Sequence, residues 1–232
     1  EVYHPAAGGD GCIQPGEDVR TGDLILPAGH QLRPQDIGGL LAVGITEIRV
    51  AQPPKVGIVS QGDEVVPPEQ EPGPGQVRDV NSHSLSALVR RCGGEPTRHG
   101  IIPDDPQALY AEALEAKLFS ELIVITAGSS ASARDNTAGV IRRLGSPGVL
   151  VHGLAIKPGK PAILGVADGT PVVGLPGNPV SALVVAGLVV VPLLRRLSRE
   201  KRPMVVATVP ARLAANIPSE SGREDYVPAR LE

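Results

Sequence analysis

Leu175-Pro176-Gly177-Asn178-Pro179-Val180-Ser181, set directly after Thr170-Pro171-Val172-Val173-Gly174, decides how this chain is read. The apolar run predicts a buried strand and Pro176-Gly177 a tight turn. Asn178-Pro179 predicts a helix start, because Asn caps well and Pro is preset for the first helical position. Residues 182–194 then supply the apolar helix body. The start of that helix presents free N–H groups and the positive end of a dipole, which suit an anion. Ser181 falls in the first turn, where its hydroxyl can join them. A capped helix that binds nothing fits this segment, taken alone, equally well.

Working outward, the same strand-then-helix grammar recurs. Strands are predicted at 56–60, 96–102, 122–126 and 171–175, and helices at 82–92, 106–117, 136–144 and 179–196. Residues 149–156 and 162–166 read as a paired β excursion. Strands alternating with helices imply an α/β fold: a three-layer, mostly parallel sheet with right-handed crossovers. The flanks read differently. Residues 1–16 are Gly-rich without periodicity. Short strands are expected at 23–26 and 30–32 around Pro27-Ala28-Gly29, a helix at 34–43 with Ile37, Leu40 and Leu41 facing one way, and a strand at 46–50. After Lys201, residues 204–210 and 226–231 look β-like. The expected organisation is a partial α+β domain at 1–51, the α/β domain at 52–198 and a partial β domain at 199–232. On this reading the chain is truncated at both ends.

Composition narrows the function classes. Of 232 residues, 41% are hydrophobic and 20% charged, ordinary for a globular protein, while aromatics are 2%, so the core must be aliphatic. That suits a parallel sheet covered on both faces. A net charge of −3 gives no global electrostatic case for nucleic acid, so any anion site is local. Cys12 and Cys92 sit in no metal-type pair. The apolar run 180–194 is read as too short and too well capped for a membrane span. No signal peptide is visible, and the expected location is the cytoplasm.

In an open parallel sheet, ligands bind outside the carboxyl ends of the strands. Four such ends carry polar, turn-forming sequence: Ser60-Gln61-Gly62-Asp63-Glu64, Pro103-Asp104-Asp105, the run from Thr126 to Asp135, and Pro176-Gly177-Asn178-Pro179. Asp105 before Pro106 reads as a helix cap, which leaves Asp104 as the less explained carboxylate. Asp63 suits a turn, whereas Glu64 has no capping duty. Asp135 either caps a helix starting near Asn136 or serves the site. Glu64, Asp104 and Asp135 together can hold a hard cation such as magnesium. Gly128, Ser129, Ser130 and Ser132 offer small side chains and close backbone approach, fit to cradle a phosphate or a polar ring. Lys157-Pro158-Gly159-Lys160-Pro161 sets two cations on a stiff turn, tolerable where an anion neutralises them. His152 reads equally as a structural residue.

The order of these pieces resembles the molybdopterin molybdenumtransferase family. The matching residues are Gly62-Asp63-Glu64, Asn81, Gly100-Ile101-Ile102-Pro103-Asp104-Asp105, Lys157-Pro158-Gly159-Lys160-Pro161 and Leu175-Pro176-Gly177-Asn178-Pro179-Val180-Ser181. The resemblance implies a molybdopterin-binding α/β domain within a homodimer. It implies magnesium-dependent insertion of molybdate into adenylylated molybdopterin with release of AMP. It makes Glu64, Asp104 and Asp135 the acidic, metal-associated set. Lys157, Lys160 and Ser181 become the molybdate-binding set, with Pro176, Gly177 and Asn178 around the substrate, and Arg223 a weaker match to a tail arginine. The Gly128–Ala133 loop departs from the Gly-rich pattern usual there. Two other readings stay open: a non-catalytic molybdopterin-binding sensor or scaffold, and a molybdopterin adenylyltransferase.

Overall fold

A computed structural model describes residues 7–126, 131–201 and 208–230, with the backbone alone described at 131–134. The chain divides into two compact units, Glu1–Arg49 and Val50–Glu232.

The first unit carries helix α1 (Pro34–Ala42), entered through Pro34. Its start is held by Asp36, whose carboxylate accepts the Arg33 backbone N–H at 2.8 Å, the Arg33 guanidinium at 2.9 and 3.0 Å, and His30 Nε2 at 2.8 Å. The Arg33 side chain first, and His30 second, hold this carboxyl well below the usual carboxylate range. The expected common face does not form: Leu40 is buried, but Ile37 and Leu41 are exposed. The strands expected at 23–26, 30–32 and 46–50 are likewise absent. Those residues are irregular, and the segment around Pro27 closes instead as a turn, His30 N–H to Pro27 C=O at 3.3 Å. A strand exists only where a neighbour takes up its backbone groups.

The second unit runs β1 (Lys55–Gln61), β2 (Val65–Val66), β3 (Val77–Arg78), α2 (Asn81–Arg91), β4 (Glu95–Ile102), α3 (Pro106–Phe119), β5 (Leu122–Thr126), α4 (Ala131–Leu144) and β6 (Pro147–His152). It continues with β7 (Ile156–Lys157), β8 (Ile163–Ala167), β9 (Thr170–Leu175), α5 (Pro179–Val185), a π-helical segment (Ala186–Val190), α6 (Val191–Leu197) and β10 (Glu224–Asp225). The central sheet has the order β4-β1-β5-β9-β8-β6. β4, β1, β5 and β9 are parallel, and β8 runs antiparallel to both β9 and β6. This is the mixed, mostly parallel sheet the sequence predicts.

Alternation along the buried strands sorts side chains to two cores. Val56, Ile58, Leu122, Val124, Val173 and Leu175 pack with Leu85 and Val89 of α2 and with Ala182, Val185, Ala186, Val190 and Leu194 of the last helical run. Val59, Ile123, Ile125 and Val172 pack with Leu109 and Ala113 of α3 and Ala138 and Ile141 of α4. The result is three layers with helices on both faces. The chain leaves β1 through α2 to β4, then crosses back through α3 to β5 on the other side of β1. Strand order therefore reverses at β1, and the crevice at the carboxyl ends of β1 and β5 is the place where such sheets bind ligands.

Several boundaries differ from expectation, among them the strand expected at 149–156, which forms as Pro147–His152. Helix α4 begins at Ala131, so Asp135 lies inside it and is no cap. The tail strand is Glu224–Asp225, earlier and shorter than 226–231, because its register follows β7. Most of 204–210 lies outside the described residues, and 208–210 is irregular. The helical run Pro179–Leu197 has 19 residues, long and apolar enough to cross a membrane by length and composition. That corrects the expectation of a run too short for a span; one stripe of it nonetheless packs on the sheet.

Candidate functional site

The expected strand ends come to one rim. Ser60 pairs with Thr126 and Thr126 with Leu175, so β1, β5 and β9 finish level; Gln61 pairs with Ile102 at the end of β4. The antiparallel β8 begins at the same end, Ile163 lying opposite both Gly174 and His152. The excursion 153–162, with both lysines, therefore leaves and returns at the rim where Glu64 sits. β1 and β8 are three strand positions apart, roughly 14 Å along the rim.

The acidic side is built from the turns after β1 and β4. The Gly62 N–H donates to the Ile102 carbonyl at 3.0 Å, and the Asp104 N–H to the Asp63 carboxylate at 3.0 Å, locking the two turns together. Gly62 has φ of 145°, and a Cβ there would meet a Glu64 carboxylate oxygen at 2.5 Å, so Glu64 can fold over this turn only because the residue is glycine. Gln61 Nε2 donates to Asp104 at 3.0 Å, while Gln61 Oε1 accepts from Thr137 of α4 at 3.2 Å. Burial first, then the charges of Asp63 and Glu64, push the Asp104 carboxyl above the ordinary aspartate value. Asp135 is exposed on α4, two residues and about 200° from Thr137, and is not among the groups acting on Asp104. Among the described residues, no three His, Cys, Asp or Glu side chains are grouped to hold a metal ion.

On the other face of the rim lies a buried polar cluster that sequence reasoning missed. Asp79 accepts from the hydroxyls of Ser60 and Ser82, at 2.9 and 2.6 Å, and from the Ser82 N–H at 3.0 Å. Asp79 three residues before Ser82 is a capping spacing and could have been noticed. Asn81 Nδ2 donates to the Gly177 carbonyl at 2.8 Å, and its buried Oδ1 has no hydrogen-bond partner among the described residues. Asn81, quoted for the resemblance but not placed among the site residues, thus ties α2 to the turn before α5.

The cationic side follows expectation in place, with one difference in detail. Asn178 caps α5, accepting from the Ser181 N–H at 3.2 Å and the Ser181 hydroxyl at 3.3 Å. Ser181 is therefore turned into its own cap, and an anion reaches it only by exchange with Asn178. Pro176 is buried and Gly177 half-buried. Lys157, Lys160 and His152 are exposed. Gly159 between the lysines has φ of 117°, and a Cβ there would lie 2.5 Å from Val185 Cγ2 and 2.9 Å from Ile156 Cδ1. The lysine turn is thereby seated directly on the helical run that starts at Asn178. β10 pairs with β7, which brings Arg223 to the lysine turn as well. Gly128, Ser129 and Ser130 lie outside the described residues; Ser132 lies in the first turn of α4, its side chain undescribed.

A groove of about 960 Å³ runs from the acidic turn along β4 and α2, lined among others by Asp63, Asp79, His83, Arg90 and Arg98. It includes neither lysine.

The family described as a probable molybdopterin binding domain matches residues 57–196. The chain is 36% identical over 233 residues to molybdopterin molybdenumtransferase 1 of Mycobacterium tuberculosis, covering 99% of this chain and 54% of that protein. It is 33% identical over 211 residues to the molybdopterin molybdenumtransferase of Haemophilus influenzae, covering 91% and 52%. The crystal structure of the molybdopterin biosynthesis MoeA protein of Pyrococcus horikoshii superposes with a TM-score of 0.73 at 42% identity, over 86% of this chain and 49% of that one. The chain spans about half the length of the curated relatives it matches.

Proposed function

The chain belongs to the family of probable molybdopterin binding domains, and on that premise we propose that it acts in molybdenum cofactor biosynthesis, inserting molybdate into adenylylated molybdopterin with release of AMP. One observation carries the reading: an acidic turn pair and a lysine turn share one rim of the sheet, on either side of the strand ends where such folds bind ligands.

The division of labour follows from charge. Lys157 and Lys160 attract the oxyanion, with Ser181 and the helix start beside them. Pro176, Gly177 and Asn178 shape the wall between oxyanion and pterin, and the loop holding Gly128, Ser129, Ser130 and Ser132 is assigned to the ring. Glu64 and Asp104 are assigned to magnesium, and Asp135, exposed on α4 and turned away from that pair, is left out of the set. The fit is supported by Asp63 and Glu64 crowding Asp104, a repulsion that a divalent cation relieves. Magnesium is ordinarily held by one or two carboxylates together with substrate phosphates, so no cage of three protein carboxylates is needed. Bound there, it would polarise the phosphoanhydride that is cut. Gln61 at the end of β1, itself held by Thr137 of α4, keeps Asp104 in place, and Asn81 fixes the Gly177 turn. No protein nucleophile is required, because the dithiolene sulfurs of the substrate take the metal.

A homodimer in the cytoplasm is the setting we assign. The relatives' names favour the transferase over the adenylyltransferase and the sensor or scaffold. The test is AMP release from adenylylated molybdopterin on adding molybdate, with and without magnesium. Release that needs both is expected. Binding of the substrate without any release would favour the scaffold, and magnesium-independent release would overturn the metal assignment.

A further inference from the structure

We propose that Asp225 is a positioning residue that fixes Arg223 beside Lys157, and that Glu220 occupies the same guanidinium until a dianion displaces it. The inference rests on the reading of the lysine turn as the oxyanion site.

The tail reaches that turn through its backbone. The Glu224 N–H donates to the Ala155 carbonyl at 2.9 Å and the Tyr226 N–H to the Lys157 carbonyl at 2.7 Å, with Asp225 level with Lys157. Residues alternate along a strand, so Arg223 and Asp225 share one face and Glu224 takes the other, where it meets the Tyr226 hydroxyl at 2.6 Å. Arg223 is held from two sides. Its Nε donates to Asp225 Oδ1 at 2.9 Å and its Nη1 to Glu220 Oε2 at 2.6 Å.

The two carboxylates are not equivalent. The Asp225 side chain is 10% exposed and that of Glu220 77%. Asp225 stays ionised despite burial: the Ser219 hydroxyl, then Arg223 and Lys157, hold its carboxyl below the ordinary value. Its Oδ2 is buried and, among the described residues, has no hydrogen-bond partner. A buried carboxylate with such neighbours is an anchor, and removing either member leaves an uncompensated charge. Glu220 forms a solvent-exposed pair, of the kind worth about 1 kcal/mol or less, and is the exchangeable partner.

The charge balance points to the ligand class. With Glu220 on Arg223, the group of Lys157, Lys160, Arg223 and Asp225 has one of its two excess positive charges neutralised. With Glu220 displaced, Arg223 and Lys157 act on one buried carboxylate and Lys160 adds a third cation from the same turn, so the two excess charges match a dianion such as molybdate. The planar guanidinium can then present parallel donors to two oxygens while Nε stays on Asp225.

The test is calorimetric titration of sodium molybdate into the wild-type chain, Glu220→Gln and Asp225→Asn, and into the same variants carrying Arg223→Ala. Glu220→Gln is expected to tighten binding about two- to fivefold, the scale of one exposed ion pair. Asp225→Asn is expected to weaken it roughly tenfold, as loss of a charge-assisted anchor. Both effects should vanish in the Arg223→Ala background, which a merely structural role would not produce. Wild-type binding with Glu220→Gln unchanged or weaker overturns this inference and leaves the site reading standing. Effects that persist without Arg223 also overturn it. No molybdate binding to the wild type overturns the site reading and the inference with it.

Discussion

The amide of Asn81 donates to the carbonyl of Gly177 at 2.8 Å across 96 residues of chain. α2 follows β1 by way of the short β2–β3 pair, and Gly177 follows β9, so this one bond bridges the end of β5 and joins the acidic side of the rim to the turn before α5. The carbonyl needs a donor, which fixes the amide orientation and leaves Oδ1 as an acceptor with no hydrogen-bond partner among the described residues.

Asn81→Ala is expected to cost about 1 kcal/mol, because the half-buried Gly177 carbonyl loses its donor and only partly recovers water. Urea denaturation should show a lower midpoint with an unchanged slope. Asn81→Asp should be worse, since it sets an acceptor against an acceptor.

Gly159→Ala should move the lysine turn off its seat. The added methyl meets Val185 and Ile156 inside contact distance, at a φ that side chains avoid, and about 1–3 kcal/mol of destabilisation is expected. Val185→Ala in the same chain should recover part of the stability but not the backbone strain. Thermal unfolding of the single and double variants measures both.

Asp104→Asn is expected to stabilise the chain at neutral pH by under ~1 kcal/mol, since the site is partly open to water. The sign follows from burial and from Asp63 and Glu64, which raise the folded-state value. Ionising Asp104 therefore works against folding, and stability falls as pH rises through that value. Asparagine keeps the acceptor for Gln61 and removes the charge. The gain should fade below the unfolded aspartate value, near pH 4, and melting temperatures from pH 3 to 8 would reveal it.

Lys160→Ala should weaken molybdate use more than binding of adenylylated molybdopterin, by roughly tenfold for an exposed cation next to a dianion. Parallel titrations of the two ligands decide this; equal losses would remove the division between oxyanion and pterin sides.

Asp36→Asn should loosen α1 at neutral pH. Its carboxyl is held low by Arg33 and His30, so the stabilisation is present above the unfolded aspartate value and lost as pH falls. Amide exchange over residues 34–40, compared with the wild type across pH 6 to 3, checks it.

What the sequence disclosed was local or topological. Asp105-Pro106 and Asn178-Pro179 start α3 and α5 as read, both caps accepting N–H bonds inside three residues. The common rim was legible because right-handed crossovers leave few choices. What escaped depends on partners distant in sequence. Asp79 meets Ser60 only after α2 docks on β1, and β10 takes its register from β7 rather than from its own composition. The capping alternative for Asp135 fails because α4 begins at Ala131, five residues before the expected start at Asn136. The strands expected in the first unit failed for want of a neighbour, which no propensity supplies.

Buried positions 182, 186, 190 and 194 recur every four residues along the last helical run. In uniform α geometry a four-residue repeat wanders by about 40° per step, since each residue turns about 100°. The wider winding at Ala186–Val190 takes up that drift and also accommodates Pro192 just beyond it. Uniform α winding over the same twelve residues would instead carry Leu194 about 120° round from Ala182, off the buried face and toward water. This short helical irregularity therefore acts as a phase corrector, keeping the far end of the run in step with its beginning.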